Sequence, residues 1–256
     1  MEKENKISEF LSIATEAALN AGTYLLNLEI SGKKVTSNAG RDVKITADIK
    51  SENIIINFLK ERSNFSILSE ETGEIKRSGQ NFTWIIDPLD GTLNYLHNIP
   101  LCCVSIGLWQ GRHPMLGVVY DFYRSELYTG IADKGAWLNG RKLENSSVNK
   151  KENAVLCTGF PINTNFSMKS LTGFIKKVRE YKKVRILGSA ALSLAYVASG
   201  RADAYIERDI MIWDVAGGLA IARGSGCRCD IRDGANPNSL CVTVSNGNLA
   251  LNNKKT

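Results

Sequence analysis

The 256-residue chain lacks the sequence features of membrane proteins and of disulfide-rich proteins. No apolar run approaches the roughly 20 residues of a membrane-spanning helix, and no apolar signal-peptide core follows the polar start Met1–Lys6. Six cysteines are too few and too irregularly spaced for a disulfide scaffold, and Cys227-Arg228-Cys229 has no second pair with which to hold zinc. We therefore expect a cytoplasmic protein with reduced thiols.

Two common catalytic motifs are also missing. The chain has no Gly-x-Ser-x-Gly nucleophile elbow and no P-loop, which argues against a covalent serine intermediate and against nucleotide-driven transfer. Its two histidines, His97 and His113, both fall in predicted loops. The carboxylates are better candidates for the chemistry, and neither histidine is assigned a catalytic role.

The charge balance is only mildly basic. The chain has 32 Lys and Arg against 26 Asp and Glu, a net charge of +6, and mixed signs along its length argue against a nucleic-acid-binding protein. Residues 169–185 predict a basic helix whose lysines lie opposite a regular apolar face, which indicates a solvent-exposed surface. The positive excess fits an enzyme with anionic substrates, although solubility alone explains it at least as well.

The hydrophobic pattern divides the chain into two lobes, residues 1–150 and 151–256, which we expect to form one catalytic unit. In the first lobe, apolar side chains at three- and four-residue steps predict helices from Ile7 to Leu28 and from Ile49 to Leu59. The polar segment between them, Gly32–Lys44, predicts a mobile loop, and strand-like runs up to an Asn139-Gly140 turn then indicate an antiparallel sheet. The second lobe alternates strands with helices, which is typical of an α/β layer.

One hexapeptide, Asp87-Pro88-Leu89-Asp90-Gly91-Thr92, has the composition of a metal and phosphate site. It follows an apolar run, Trp84-Ile85-Ile86, where a lone buried carboxylate would be costly and a divalent cation such as Mg²⁺ would remove that cost. The proline stiffens the turn, so that both aspartates and the intervening carbonyl are able to converge on one centre.

The end of the hexapeptide suits a phosphate group. Gly91 lets the backbone approach a ligand closely, and Thr92 is expected to begin a helix whose first N–H groups favour an anion. An Asp-Pro turn before a capped helix is the simpler alternative, but that alternative does not require both aspartates together with the Gly-Thr pair.

Four motifs, in order along the chain, resemble the inositol monophosphatase family of Mg²⁺-dependent, lithium-sensitive phosphatases. They are Ile45-Thr46-Ala47-Asp48, Glu70-Glu71, the run from Trp84 to Thr92, and Trp213-Asp214-Val215-Ala216-Gly217-Gly218. A further segment from Leu187 to Glu207 is similar to the substrate pocket of that family. The resemblance covers nearly the whole chain, and a chance match to all the motifs in this order is remote.

The resemblance implies a mixed α/β fold in alternating α-β-α-β-α layers, two or three Mg²⁺ ions per site and a homodimer. By position, Glu70, Asp87 and the Leu89 carbonyl match the ligands of a first ion, and Asp87, Asp90 and Asp214 match those of a second. Asp48 and Thr92 match the pair that orients the attacking water, with Glu70 as a further catalytic residue, and the amides of Gly91 and Thr92 match phosphate ligands. The residues that match substrate contacts are Gly188, Ser189, Ala190 and Glu207. A loop lysine that nears the site is expected among the basic residues Lys33, Lys34, Arg41 and Lys44.

The resemblance leaves the substrate open. The first expectation is a small phosphorylated substrate, namely inositol monophosphate or a related polyol or sugar phosphate, with which Leu93-Asn94-Tyr95 agrees better than with the nucleotidase branch. The alternatives are fructose-1,6-bisphosphatase or 3′(2′),5′-bisphosphate nucleotidase activity on the same fold. A non-catalytic phospho-ligand-binding protein is a remote third possibility, because the chain retains every expected acid together with Asp48 and Thr92. No nucleic-acid or membrane partner is expected.

Overall fold

The computed structural model describes residues 2–28, 35–39, 42–79, 81–160, 164 and 166–250, and it confirms the predicted α-β-α-β-α layering. The helices are α1 (Glu2–Asn27), α2 (Thr46–Arg62), α3 (Thr92–Leu96), α4 (Met168–Val178), α5 (Ala190–Ala198) and α6 (Ile212–Gly224). The strands of the first half are β1 (Val35–Ala39), β2 (Asp42–Ile45), β3 (Ser66–Ser69), β4 (Gly73–Ile75), β5 (Phe82–Asp90), β6 (Cys103–Gln110), β7 (His113–Asp121), β8 (Glu126–Ile131), β9 (Gly135–Leu138) and β10 (Arg141–Lys142). Those of the second half are β11 (Val155–Thr158), β12 (Lys183–Arg185), β13 (Ala204–Met211), β14 (Arg228–Asp233) and β15 (Ser239–Ser245).

An eight-stranded sheet forms the larger layer, in the order β10-β9-β8-β7-β6-β5-β3-β4. It is antiparallel, as predicted, except for the parallel pair β3–β5. Helices α1 and α2 pack on one face and α6 packs on the other. Strand β6 is therefore buried along nearly its whole length, which explains its continuous apolar sequence without a polar alternation.

A five-stranded sheet, β12-β11-β13-β15-β14, forms the second β layer. Helices α5 and α6 lie between the two sheets, and their side chains join both sheets in one hydrophobic cluster. Helix α4 is on the outer side, where Val178 packs against a small cluster beneath the second sheet. Among the described residues, no helix combines the length and apolarity needed to cross a membrane.

The prediction of a mobile loop between α1 and α2 is wrong, because the described residues of this segment form an antiparallel hairpin of β1 and β2. Val35 pairs with Ile45 and Ser37 with Lys44, so the apolar β-branched residues near the hairpin base were a strand signal within a polar segment. Lys33, Lys34 and Arg41 lie outside the described residues. The hairpin leads directly into α2, and so it fixes where the chain enters the site.

Two strands extend further than their sequences predicted. Strand β5 continues through Asp87 to Asp90, with a register shift between these two residues against β6. Strand β13 continues past Glu207 to Met211, with a register shift between Glu207 and Ile210. Such irregularities re-aim side chains, and both of them border the same cavity.

Candidate active site

The predicted site residues converge on one cavity of about 620 Å³ whose walls come from both large sheets. Its lining includes Glu70, Asp87, Leu89, Asp90, Gly91, Thr92, Gly188, Ser189, Ala190, Glu207 and Asp214. Asp48, the remaining predicted residue, is buried at the start of α2 and reaches this wall through Thr92. Positions that are far apart in the sequence therefore belong to one site.

Three of the carboxylates that line the cavity form a close cluster. Oxygen atoms of Glu70, Asp87 and Asp214 all lie within 4.8 Å of one another. Glu70 follows β3, Asp87 lies in β5, and Asp214 is in the first turn of α6. Because β3 and β5 are adjacent parallel strands and α6 packs across β5, the fold brings these acids together.

The electrostatics of this cluster call for a cation. Burial raises the pKa of Asp87 well above its usual range, and repulsion from Glu70, Asp90 and Asp214 raises it further. Desolvation likewise raises the pKa of Asp214, with repulsion from Glu70 next in size. A divalent cation would offset both costs, and carboxylate oxygens are the ligands that Mg²⁺ prefers. The donor set therefore fits the expected metal.

Asp90 is held by the beginning of α5. Its Oδ2 accepts hydrogen bonds from the Ser189 hydroxyl at 2.6 Å and from the Ala191 amide at 2.7 Å. Burial raises the pKa of Asp90 to about 6, and these hydrogen bonds counteract the rise. Ser189, matched by resemblance to a substrate contact, thus also anchors this carboxylate, a contact that sequence reasoning missed.

Thr92 and Asp48 are adjacent, as the resemblance implies. The Thr92 hydroxyl lies 3.1 Å from the Leu89 carbonyl and 3.4 Å from Oδ1 of Asp48. The other oxygen of Asp48 accepts the Ile45 amide hydrogen at 2.8 Å. Burial raises the pKa of Asp48 to about 7, which the Ile45 hydrogen bond partly offsets. A carboxylate of this pKa is suited to taking up a proton near neutral pH.

Gly91 has the backbone conformation that its residue type predicts. Its φ of 93° lies in the left-handed region, and a Cβ there would come within 2.8 Å of the Leu101 carbonyl oxygen. Helix α3 begins at the next residue, Thr92, as predicted.

Glu207 lines the cavity together with Thr158, Gly159 and Phe160, which close or follow β11. The Tyr205 hydroxyl donates to Oε2 of Glu207 at 2.7 Å, and burial raises the pKa of Glu207 to about 7. A Cβ on Gly159 would lie only 2.6 Å from Oε1 of Glu207, so the glycine leaves room for the carboxylate. A buried carboxylate with one oxygen held in this way is a suitable acceptor for a substrate hydroxyl.

Among the described lysines of the hairpin segment, Lys44 lines the cavity. Its Nζ lies 3.0 Å from Oε2 of Glu71, and the side chains are 28% and 10% exposed. Lys33 and Lys34 are outside the described residues.

Sequence reasoning missed two buried polar residues of α2, Ser51 and Glu52, which contact the segments that carry the acids. A signal was available, because Glu52 follows Asp48 by four residues and therefore lies on the same helix face.

Known proteins share both the sequence and the fold of this chain. Residues 6–256 match the model of the inositol monophosphatase family. The inositol-1-monophosphatase of Synechocystis sp. is 38% identical over 227 residues, covering 86% of this chain and 78% of that protein. The structure of the suhB extragenic suppressor protein from Bartonella henselae superposes with a TM-score of 0.83 at 33% identity, over 94% of this chain and 95% of the other.

The structure of an inositol monophosphatase from Anabaena (Nostoc) sp. gives a TM-score of 0.81 at 34% identity, covering 95% of this chain and 92% of that one. Sequence, fold and site geometry agree. The chain therefore belongs to the inositol monophosphatase family, a family of phosphate monoester hydrolases.

Proposed function

We propose that this protein is a Mg²⁺-dependent phosphatase that hydrolyses inositol monophosphate or a related polyol or sugar phosphate. The observation that carries the proposal is the close cluster of Glu70, Asp87 and Asp214 in the same cavity as Gly91 and Thr92. Carboxylates for a cation beside backbone amides for a phosphate are the two parts that metal-assisted phosphoryl hydrolysis requires.

The proposed metal ligands are the acids of the cluster and their neighbours. Glu70, Asp87 and the Leu89 carbonyl would hold one ion, and Asp87, Asp90 and Asp214 would hold a second. A third ion would sit near Glu70. When bound, Mg²⁺ would neutralise phosphate charge and make a nearby water easier to deprotonate. The raised pKa values of Asp87 and Asp214 support the assignment, because their burial and mutual repulsion are relieved by cations.

The protein residues orient the water and receive its proton. Thr92 would hold the attacking water through its hydroxyl, and Asp48 would accept the proton that the hydroxyl passes on. The contact of the Thr92 hydroxyl with Oδ1 of Asp48 supports this role, and the burial that raises the pKa of Asp48 to about 7 makes this carboxylate a better proton acceptor than an exposed one. The amides of Gly91 and Thr92 would donate hydrogen bonds to the phosphate.

The leaving alcohol would occupy the part of the cavity that Glu207 and residues 188–190 line. Glu207 would accept a hydrogen bond from a substrate hydroxyl, while the backbone of Gly188 and Ala190 and the side chain of Ser189 would shape the pocket beside it. A polyol or sugar supplies several hydroxyl donors, which suits a buried carboxylate acceptor.

A substrate panel tests the proposal. The purified protein is expected to release phosphate from inositol 1-phosphate or a sugar phosphate with Mg²⁺, and EDTA is expected to abolish the release. Fructose 1,6-bisphosphate and 3′-phosphonucleotides belong in the same panel, because preference for either one would replace the proposed substrate. The absence of Mg²⁺-dependent release from every member would contradict the phosphatase proposal.

Three further properties belong to the same proposal. Lithium should inhibit the enzyme at elevated concentration, and light scattering should give the mass of a homodimer. A cytoplasmic location agrees with the thiols, because none of the six cysteines, all within the described residues, forms a disulfide.

A further inference from the structure

One face of α2 lies directly behind the acidic cluster. Asp48, Ser51 and Glu52 occupy positions i, i+3 and i+4 of the helix and are at most 1% exposed. Each contacts a different segment of the site. Asp48 contacts Thr92, whereas the other two hold segments that carry the carboxylates.

Glu52 accepts three hydrogen bonds from the segment that follows β3. Its Oε1 accepts the amide hydrogens of Glu71 at 3.1 Å and Thr72 at 3.0 Å, and its Oε2 accepts the Thr72 hydroxyl hydrogen. Glu70 directly precedes these two residues. The orientation of the Glu70 side chain is therefore tied to a carboxylate that does not line the cavity.

Ser51 holds the second acidic segment. Its hydroxyl donates to the Pro88 carbonyl at 2.8 Å, between Asp87 and Leu89 and therefore where β5 loses its regular register with β6. The contact is fully buried, so that loss of the donor would leave the carbonyl without this partner.

We propose that Ser51 and Glu52 are positioning residues that set the metal affinity of the site. Repulsion tends to separate Glu70, Asp87 and Asp214, so the backbone that carries them must be held from behind if they are to stay within 4.8 Å of one another. Helix α2 does this through two side chains one position apart. The inference rests on the proposed function only in requiring that the cluster binds a divalent cation.

Two explanations for an effect of Glu52 make different predictions. If Glu52 acts through its hydrogen bonds, Glu52→Gln preserves them, because the amide oxygen accepts both N–H groups and the amide nitrogen donates to the Thr72 hydroxyl. If Glu52 acts through its negative charge, Glu52→Gln and Glu52→Ala weaken cation binding equally. The conservative variant therefore separates positioning from a field effect.

The experiment measures Mg²⁺ dissociation constants by calorimetry, with Mn²⁺ titration as a second probe, in the full-length protein and its variants. We expect Glu52→Ala and Ser51→Ala to weaken binding about 10- to 100-fold, as loss of supporting hydrogen bonds does at other metal sites, and Glu52→Gln to stay within about threefold of the unaltered protein. In the metal-free protein, amide exchange at Glu71 and Thr72 should be faster in Glu52→Ala but not in Glu52→Gln.

Ser63→Ala is the matched control at the other end of α2. The Ser63 hydroxyl donates to the Leu59 carbonyl and accepts from the Trp84 indole, so its loss should lower the melting temperature without changing metal affinity. If Glu52→Ala does not fold, Thr72→Val replaces it, because that change removes only one of the three hydrogen bonds.

The outcomes separate this inference from the proposed function. Unchanged Mg²⁺ affinity in both Glu52→Ala and Ser51→Ala, or equal weakening in Glu52→Gln and Glu52→Ala, overturns the positioning role alone. If the unaltered protein binds neither Mg²⁺ nor Mn²⁺, the proposed function is overturned together with the inference.

Discussion

Asp90 links the proposed metal site to helix α5. One carboxylate oxygen accepts hydrogen bonds from Ser189 and Ala191 at the start of α5, and the charge of the group is close enough to raise the pKa values of Asp87 and Asp214. The hydrogen bonding of Asp90 to α5 and its proposed metal binding are separable, because an amide oxygen also accepts hydrogen bonds but is a poorer ligand for Mg²⁺.

Asp90→Asn is therefore expected to remove activity while the fold remains. The amide oxygen of the variant takes the place of Oδ2, so the hydrogen bonds from Ser189 and Ala191 are kept. Turnover should nevertheless fall about 100- to 1,000-fold, equivalent to about 3–4 kcal/mol of transition-state stabilisation. Steady-state kinetics at saturating Mg²⁺ and thermal melting measure the two effects. Near-normal turnover would remove Asp90 from the metal ligands.

Asp203→Asn supplies the comparison. Asp203 is also buried, and its Oδ2 accepts the Val155 amide hydrogen at 2.6 Å, but it does not line the cavity. The other oxygen of Asp203, Oδ1, accepts from the Asn246 side-chain amide at 3.5 Å, so an asparagine that keeps the Val155 contact sets its NH2 group against that donor. This variant should therefore lose stability and keep its Mg²⁺ dependence, the reverse of Asp90→Asn.

Glu207 makes the stability of the metal-free protein depend on pH. Its pKa in the folded protein is about 7, above its usual value of 4.5, because burial disfavours the charged form. A raised pKa means that the native state binds the proton more tightly than the unfolded state, so this contribution to stability is present at low pH and lost as pH rises through 7. Asp48, with a pKa of about 7 for the same reason, acts in the same direction.

Glu207→Gln should consequently flatten the pH dependence of the free energy of unfolding in EDTA. Because one pKa unit corresponds to about 1.4 kcal/mol, the rise from 4.5 to about 7 is equivalent to about 3–4 kcal/mol. The variant should gain up to that much stability relative to the unaltered protein at about pH 8, and little at about pH 5. Urea unfolding across this range measures the difference. Glu61→Gln, at an exposed position, is the control, and parallel curves for the Glu207 variant and the unaltered protein would contradict the prediction.

At the scale of elements, α6 brings Asp214 to the cluster by packing very closely on the large sheet. Gly117 of β7 faces Gly217 of α6, and a Cβ on Gly117 would lie 2.0 Å from the Gly217 carbonyl oxygen. The close approach depends on the absence of side chains there. The site therefore depends on glycines that lie outside the cavity lining.

Gly117→Ala is expected to push α6 away from β7. The clash is with backbone, which has no alternative rotamer, so the free energy of unfolding should fall by about 2–4 kcal/mol and Mg²⁺ should bind more weakly as Asp214 moves. Gly173→Ala in α4 is the opposite control, since a Cβ added there would meet nothing within 4 Å and alanine favours a helix by up to about 1 kcal/mol. Equal stability of the two variants would disprove the close-packing argument.

Which parts of the site were predictable depends on whether their residues lie together in the sequence or come from separate helices and strands. The residues from Asp87 to Thr92 are contiguous, so their composition alone indicated a metal and phosphate site, and the structure places all the predicted site residues at or behind one cavity. Glu52 was missed because its partners lie 19 and 20 residues further along the chain, and its acidic side chain resembles one on an exposed helix face. The β1–β2 hairpin was missed because its few apolar residues are separated by polar ones, a composition that also suits a loop.

At the scale of the whole molecule, α5 and α6 belong to both halves of the structure. They lie between the two sheets, and one hydrophobic cluster includes Val119 of the first sheet, Leu219 of α6 and Val242 of the second sheet. We propose that the lobes of residues 1–150 and 151–256 fold as one catalytic unit, because neither sheet can expose its inner face to water without losing this shared core.

The proposed metal site spans the same division, since Glu70 and Asp87 come from the first lobe and Asp214 from the second. Mg²⁺ should therefore stabilise both lobes together and raise the temperature of a single unfolding transition. At a hundredfold excess over the dissociation constant, the free energy of unfolding should increase by about 2.7 kcal/mol. Calorimetry with Mg²⁺ and with EDTA, at matched ionic strength, measures the shift. Asp214→Asn should unfold in one transition near the temperature of the EDTA-treated protein and respond little to Mg²⁺. Two separate transitions would contradict the single unit, whereas an unchanged Mg²⁺ response in the variant would contradict the shared site, because a cation held by one lobe alone would not need Asp214.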